Sequence, residues 1–252
     1  MPKNFSDYLA VLSELVQHSG GPLESIITGA CCDSRQCQPG FIFCAMQGER
    51  QDGHQFIEQA LNLGAAAVLS EKDVALPAGV SWVTVHNAYP AFARIAEFAA
   101  DYPARSLKLL GITGTNGKTT SAYLLRDILT AAGLRTGMIG TVEYDLGGGR
   151  YRQADRTTPT PFQLQQLFVE MKKHGVEYAV LEVSSHALAQ ERLGNAQLDG
   201  AIFTNLTRDH LDYHGDFERY YQCKKKLFSE LLLSGQPMVI NADDPWGKRL
   251  LA

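Results

Sequence analysis

Gly111-Ile112-Thr113-Gly114-Thr115-Asn116-Gly117-Lys118-Thr119-Thr120 is the stretch on which the reading of this chain turns. It follows an apolar run at 107–112 and opens a segment with helical spacing at 119–132, so it joins a strand to a helix. In that context the glycines let the backbone curl until its N–H groups converge on phosphate oxygens, and the helix N-terminus adds favourable partial charge. Lys118 is placed to reach β- and γ-phosphates, and Thr119 to offer its hydroxyl to Mg²⁺. Gly114, Thr115, Asn116, Gly117 and Thr120 complete the expected ATP-binding loop. The spacing departs from the general pattern, which puts glycine where this chain has Ile112. Alone, the loop predicts a nucleoside triphosphate and leaves the acceptor open.

Outward from the loop, apolar runs recur at 137–142, 178–183, 201–204 and 238–240, mostly separated by helical stretches, notably 162–174 and 216–233. Near-continuous apolar strands alternating with helices predict a parallel sheet covered on both faces. Residues 144–153, with Gly147-Gly148-Gly149 inside, read as a hairpin excursion. Upstream, an amphipathic stretch (Phe5, Leu9, Leu12, Val16) reads as helical. Short apolar runs then alternate with a helical segment at 55–63, as in a small mixed α/β domain. The expected architecture is therefore α/β: a small mixed domain over 1–88, then a phosphate-loop domain with a mostly parallel sheet over 89–252.

A chain of 252 residues can bury two cores, and a formal charge of −4 lacks the basic surplus of a general nucleic-acid binder. No apolar run is long enough to span a bilayer, and the N-terminus has no signal-peptide pattern, so no membrane insertion is expected. Cys31, Cys32, Cys37, Cys44 and Cys223 are an odd set that fits a reducing cytoplasm. The four clustered ones lack paired Cys-x-x-Cys spacing and read as small hydrophobes beside a turn.

Four further segments sharpen the picture: Thr157-Thr158-Pro159-Thr160-Pro161 ahead of a helix, Glu182-Val183-Ser184-Ser185-His186-Ala187-Leu188 and Thr204-Asn205-Leu206-Thr207-Arg208-Asp209-His210-Leu211-Asp212-Tyr213-His214-Gly215 at strand ends, and Asn241-Ala242-Asp243-Asp244. With the Gly-x-x-Gly-x-x-Gly-Lys-Thr loop, they resemble the Mur ligase family over nearly the whole chain. The closest likeness is to the step that adds a third amino acid, lysine or diaminopimelate, to UDP-N-acetylmuramoyl-L-alanyl-D-glutamate. The resemblance implies that ATP phosphorylates a free carboxylate of the muramoyl peptide and that an amine displaces the phosphate. Each step gathers negative charge and calls for cations and oriented donors.

The resemblance also implies roles. Lys118, Glu182, His210 and Lys224 form the catalytic set, with Thr119, Glu182, His210 and a carbamate on Lys224 as Mg²⁺ ligands. A carbamate needs CO₂ and a neutral amine, which burial favours. The run Lys224-Lys225-Lys226 has the alternative reading of an exposed basic helix face and leaves the register open by one residue. Asn241 joins the ATP site. Ser34, Glu49, Arg50 and Gln51 match positions holding the uridine diphosphate, although Ser34 reads equally as a turn residue. Thr157, Thr158, Ser184, Gln190 and Arg192 match positions contacting the muramoyl peptide or its phosphates, and His186 and His214 are expected to be structural. Full-length members carry a third domain, which this chain is expected to lack, so it is not expected to complete ligation alone. A monomer is the expectation. A folylpolyglutamate synthetase-like ligase and a non-catalytic nucleotide-binding module are the alternatives.

Overall fold

The computed structural model describes residues 3–48 and 51–252. The chain divides into two compact units between Tyr102 and Pro103.

The first unit runs β1 (Lys3–Asn4), α1 (Phe5–Leu12), β2 (Val16–Gly20), β3 (Ile26–Ile27), β4 (Gly29–Cys31), β5 (Phe41–Ala45), α2 (Ile57–Asn62), β6 (Ala67–Ser70), β7 (Ser81–Val85) and α3 (Ala88–Ala99). Its main sheet has the order β2-β7-β6-β5-β4, parallel throughout except for β2, and β1 pairs with β3 in a short antiparallel ribbon. Helix α1 starts with a capping box between Asn4 and Asp7 and buries Phe5, Tyr8 and Leu12, one apolar stripe. It does not reach Val16 as the periodicity predicts. Ser13–Leu15 tightens into a 3₁₀ turn, and Val16 pairs with Val85, the β-branched side chain suiting a ladder.

A second correction concerns the boundary expected after residue 88. Helix α3 belongs to the first unit, burying Ala91, Phe92, Ile95 and Ala96, and Phe98 meets Tyr8 edge-on at 4.9 Å. The break comes only where Asp101 and Tyr102 adopt φ of +58° and +52°. Cys31, Cys37 and Cys44 are buried, the first two among Phe43, Ile57 and Val68.

The second unit runs β8 (Lys108–Thr113), α4 (Lys118–Ala131), β9 (Thr136–Ile139), β10 (Glu143–Asp145), β11 (Tyr151–Gln153), α5 (Pro161–Lys173), β12 (Tyr178–Glu182), α6 (Ser185–Ala189), β13 (Gly200–Phe203), α7 (Leu211–His214), α8 (Phe217–Lys226), β14 (Met238–Ile240) and α9 (Pro245–Leu251). The sheet order is β11-β10-β9-β12-β8-β13-β14. Strands β9, β12, β8, β13 and β14 are parallel, and β10–β11 is the antiparallel hairpin expected at 144–153. Alternate residues of the central strands face opposite sides: Leu109, Ala179 and Leu181 pack with Leu164, Phe168 and Met171 of α5, while Ile112 and Val180 pack with Ala122 of α4. The single helix expected over 216–233 is instead α8 followed by a π turn at Leu227–Leu231, in which Leu232 N–H reaches back to Leu227 O. Among the described residues no helix is long and apolar enough to cross a membrane.

Candidate functional site

Strands β9, β12, β8 and β13 are neighbours and parallel, so their carboxyl ends open on one crevice. The 111–120 loop leaves β8 at the centre of this row, where Ile112 pairs with Glu182 on one side and Ile202 on the other. Gly114 has φ +152°, and a Cβ there would collide with Thr204 Oγ1, so only glycine fits. The end of β13 braces the loop. Asn205 accepts from Thr115 N–H through its carbonyl (2.9 Å) and from Asn116 N–H through its side chain (3.0 Å), while Thr204 Oγ1 donates to Asn116 O at 2.6 Å. Lys118 lies across the loop, its Nζ donating to Gly114 O (3.0 Å) and Thr115 O (2.8 Å). Burial lowers its amine from the ordinary lysine value, against the pull of Glu182 and Asp209. Gly117 caps α4 and Thr120 is exposed.

Glu182, at the end of β12, is fully buried. Its carboxylate accepts from Thr119 Oγ1 (2.8 Å), Thr141 N–H (2.9 Å) and Thr141 Oγ1 (3.2 Å). Among the described residues no side-chain cation lies within ion-pair distance of it. A buried carboxylate ringed by hydroxyls and lacking a cation is a hard-oxygen donor set, which fits Mg²⁺ chemically. Gly140 makes the approach possible, since a Cβ there would run into Glu182 Oε1.

The residues expected to face the acceptor gather beside Glu182. Thr158 Oγ1 donates to the Glu182 carbonyl (2.9 Å) and accepts from Ser184 N–H (3.0 Å). Ser184 caps α6 by accepting from Ala187 N–H. Arg192 donates to Thr158 O (2.7 Å) and twice to Gln190 Oε1 (3.0 and 2.7 Å), so Thr158, Gln190 and Arg192 form one network. Thr157 Oγ1 lies 3.0 Å from Thr141 Oγ1, which brings it to the Glu182 cluster as well.

On the other side of the loop, Lys224 is not on an exposed basic face. It is 1 % exposed, with Nζ donating to Gly114 O at 2.8 Å, while Lys225 is exposed and Lys226 half-buried. Burial, with the charge of Lys118 adding to it, pulls its pKa down from 10.5 to about 7. His210, with φ +51°, turns the chain into α7 and stands edge-on to His186 at 4.9 Å. His214 is buried, and desolvation followed by the nearby His186 and Lys224 charges lowers its pKa to about 4.

Three residues stand elsewhere or in local roles. Asn241 donates to Thr204 O (2.9 Å) and accepts from Asp243 N–H (3.0 Å), tying the end of β14 to that of β13. In the first unit, Ser34 is buried and donates to Gln59 Oε1 at 2.8 Å; with Gln51, Phe56 and Tyr89 it lines a cavity of about 420 Å³. Glu49 and Arg50 lie outside the described residues. Sequence reasoning missed Thr141, whose signal was its place directly after Gly140 at the end of a strand, and Asn205, quoted within a motif but given no role.

The fold and crevice define a phosphate-loop nucleotide-binding module of the α/β class. Residues 112–252 match the model for the Mur ligase middle domain, and residues 26–105 match that for the Mur ligase family, catalytic domain. The chain belongs to the Mur ligase family. It is 45% identical over 246 residues to the UDP-N-acetylmuramoyl-L-alanyl-D-glutamate–2,6-diaminopimelate ligase of Gloeobacter violaceus, covering 96% of this chain and 50% of that protein. With the ligase of the same name from Coxiella burnetii the identity is 42%, at the same coverage. A solved structure of such a ligase superposes with a TM-score of 0.81 at 28% identity, over 100% of this chain and 49% of the other. MurF from Acinetobacter baumannii, at 19% identity and a TM-score of 0.65 over 99% of this chain and 51% of that one, shares the fold. The chain spans about half the length of the relatives it matches.

Proposed function

We propose that this chain supplies the nucleotide-binding and carboxylate-binding portion of an ATP-dependent ligase that extends UDP-N-acetylmuramoyl-L-alanyl-D-glutamate. The relatives' names give 2,6-diaminopimelate as the amino acid added. One observation carries the reading: Glu182 takes the Thr119 hydroxyl on its carboxylate and the Thr158 hydroxyl on its carbonyl. A single residue thereby joins the phosphate loop to the acceptor cluster, as transfer of a phosphoryl group between two bound substrates requires.

In this reading Lys118 swings from Gly114 O and Thr115 O to the β- and γ-phosphates, and the loop N–H groups hold the remaining oxygens. Arg192 and Gln190, with Thr158 and Ser184, orient the dipeptide carboxylate, which attacks the γ-phosphorus and releases ADP. The amine of the incoming amino acid then attacks the acyl phosphate carbon, and inorganic phosphate leaves. Thr119 and Glu182 would hold one Mg²⁺, and His210 with a carbamate on Lys224 a second; when bound, the metal supplies charge neutralisation at the phosphates. A Lys224 pKa near 7 leaves the amine substantially neutral in a near-neutral cytoplasm, as uptake of CO₂ requires. Ser34 and Gln51 would contact the uridine diphosphate.

The test is a calorimetric titration of the chain with UDP-N-acetylmuramoyl-L-alanyl-D-glutamate, repeated with Arg192→Ala. Saturable binding that falls at least tenfold in the variant is expected. A folded chain that binds neither this ligand nor Mg·ATP would sink the proposal.

A further inference from the structure

Tyr220 stands one helical turn before Lys224 on α8 and is 1 % exposed. Its hydroxyl lies 3.2 Å from Thr115 Oγ1 in the phosphate loop. Its ring lies beneath Lys224 Nζ, 4.6 Å from the centroid, as a packing wall, and Lys224 in turn donates to Gly114 O. One side chain therefore bears on both members of the Gly114-Thr115 pair. The ring of His214 packs on Tyr220 at 4.9 Å, with the planes 30° apart, which limits its freedom to swing.

Hydrogen-bond accounting explains the hydroxyl. Thr115 Oγ1 accepts from Thr207 N–H at 3.0 Å and reaches Thr207 O at 3.3 Å. With its proton given to that carbonyl, it has one lone pair left, and the phenol O–H is the donor at hand. Burial raises the Tyr220 pKa above the ordinary tyrosine value, so the phenol keeps its proton.

We infer that Tyr220 is a positioning residue of the nucleotide site, its hydroxyl fixing Thr115 while its ring seats Lys224 against Gly114. The inference rests on the reading of residues 111–120 as the nucleotide-binding loop. It separates two tasks in one side chain, because Tyr220→Phe removes the contact to Thr115 and keeps the ring under Lys224.

The test uses the chain itself, titrated with the magnesium complex of a non-hydrolysable ATP analogue and, separately, with UDP-N-acetylmuramoyl-L-alanyl-D-glutamate. Tyr220→Phe is expected to weaken nucleotide binding roughly threefold to tenfold, the loss of one buried hydrogen bond, and to leave the second ligand within about twofold. Thr115→Val, which also gives up the two Thr207 contacts, should lose at least as much, and the double variant no more than Thr115→Val alone, because the Tyr220 contact is already gone. A merely structural tyrosine would lower thermal stability and weaken both ligands in parallel, leaving their affinity ratio unchanged. That result, wild-type nucleotide affinity in Tyr220→Phe, or multiplicative losses in the double variant would each overturn the inference alone. Failure of the folded wild-type chain to bind the analogue would overturn the nucleotide reading, and this inference with it.

Discussion

Lys118 and Lys224 converge on a single acceptor: both amines donate to the carbonyl oxygen of Gly114, at 3.0 and 2.8 Å. Two lysines sharing one oxygen cannot both hold a full charge cheaply, and the more deeply buried of them, Lys224, has its pKa drawn down to about 7. In the unfolded chain the same amine titrates near 10.5. Between those values the unfolded state binds more protons than the folded one, so this group makes stability rise as pH goes from about 7 to 10.5; the destabilisation is complete by about pH 7 and flat below it, where both states are protonated. Urea titrations should show that slope in the wild-type chain and lose it in Lys224→Met, with a difference on the order of a few kcal/mol. Parallel pH profiles would contradict the depressed amine.

A neutral amine at that position should also take up CO₂. In ¹³C-bicarbonate at pH 8, NMR is expected to give a carbamate resonance that Lys224→Ala abolishes and Lys225→Ala retains. A resonance surviving in Lys224→Ala would place the modification elsewhere in the basic run.

Among the described residues, the donors to the buried Glu182 carboxyl group, from Thr119 and Thr141, are all neutral. Glu182→Gln keeps the shape and removes the charge, so the melting temperature should hold or rise. The gain in ATP-analogue affinity on adding Mg²⁺ should meanwhile shrink more than tenfold. Equal Mg²⁺ dependence in the two proteins would remove Glu182 from the metal site.

Gly140→Ala is expected to strike the same carboxylate from behind, since its Cβ meets Glu182 Oε1. The overpacking should lower stability by about 1–3 kcal/mol and weaken Mg²⁺-dependent binding more than metal-free nucleotide binding. Thermal melts paired with titrations in the presence and absence of EDTA would measure both.

Arg192 contacts Gln190 with two nitrogens and Thr158 with a third. Lysine can reproduce the charge but not the planar fork, so Arg192→Lys should recover less than half of the binding free energy lost in Arg192→Ala. Full recovery would mean that charge alone matters there.

The phosphate loop was legible because its chemistry is local: glycines, lysine and threonine at fixed offsets between a strand and a helix. Glu182 was singled out through the family resemblance, with its place at the end of an apolar strand in support. The fate of Lys224 was not, because three consecutive lysines look alike until the pitch of α8 sends the first inward and the second out. Thr141 was passed over despite its place at a strand end, and Tyr220 gave no signal, since each acts on residues far away in the chain. The N-terminal segment misled at Val16, where a helical stripe and the first residue of a strand share one spacing. The unit boundary was misplaced because helix α3, read as the start of the second domain, buries its apolar face in the first.

The crevice is stitched together across large sequence distances: 63 residues separate Thr119 from Glu182, and 110 separate Lys224 from Gly114. During synthesis the loop is therefore complete long before its partners exist. At about 5–20 residues per second, seconds pass between the emergence of Gly114 and that of Lys224 from the ribosome. Through that interval the loop has its glycines and its lysine without the strand ends and the helix that brace it. On the proposed reading, nucleotide capture would come late in the life of a nascent chain, and such long-range pairing would make its arrival a clock for completion of the parallel sheet.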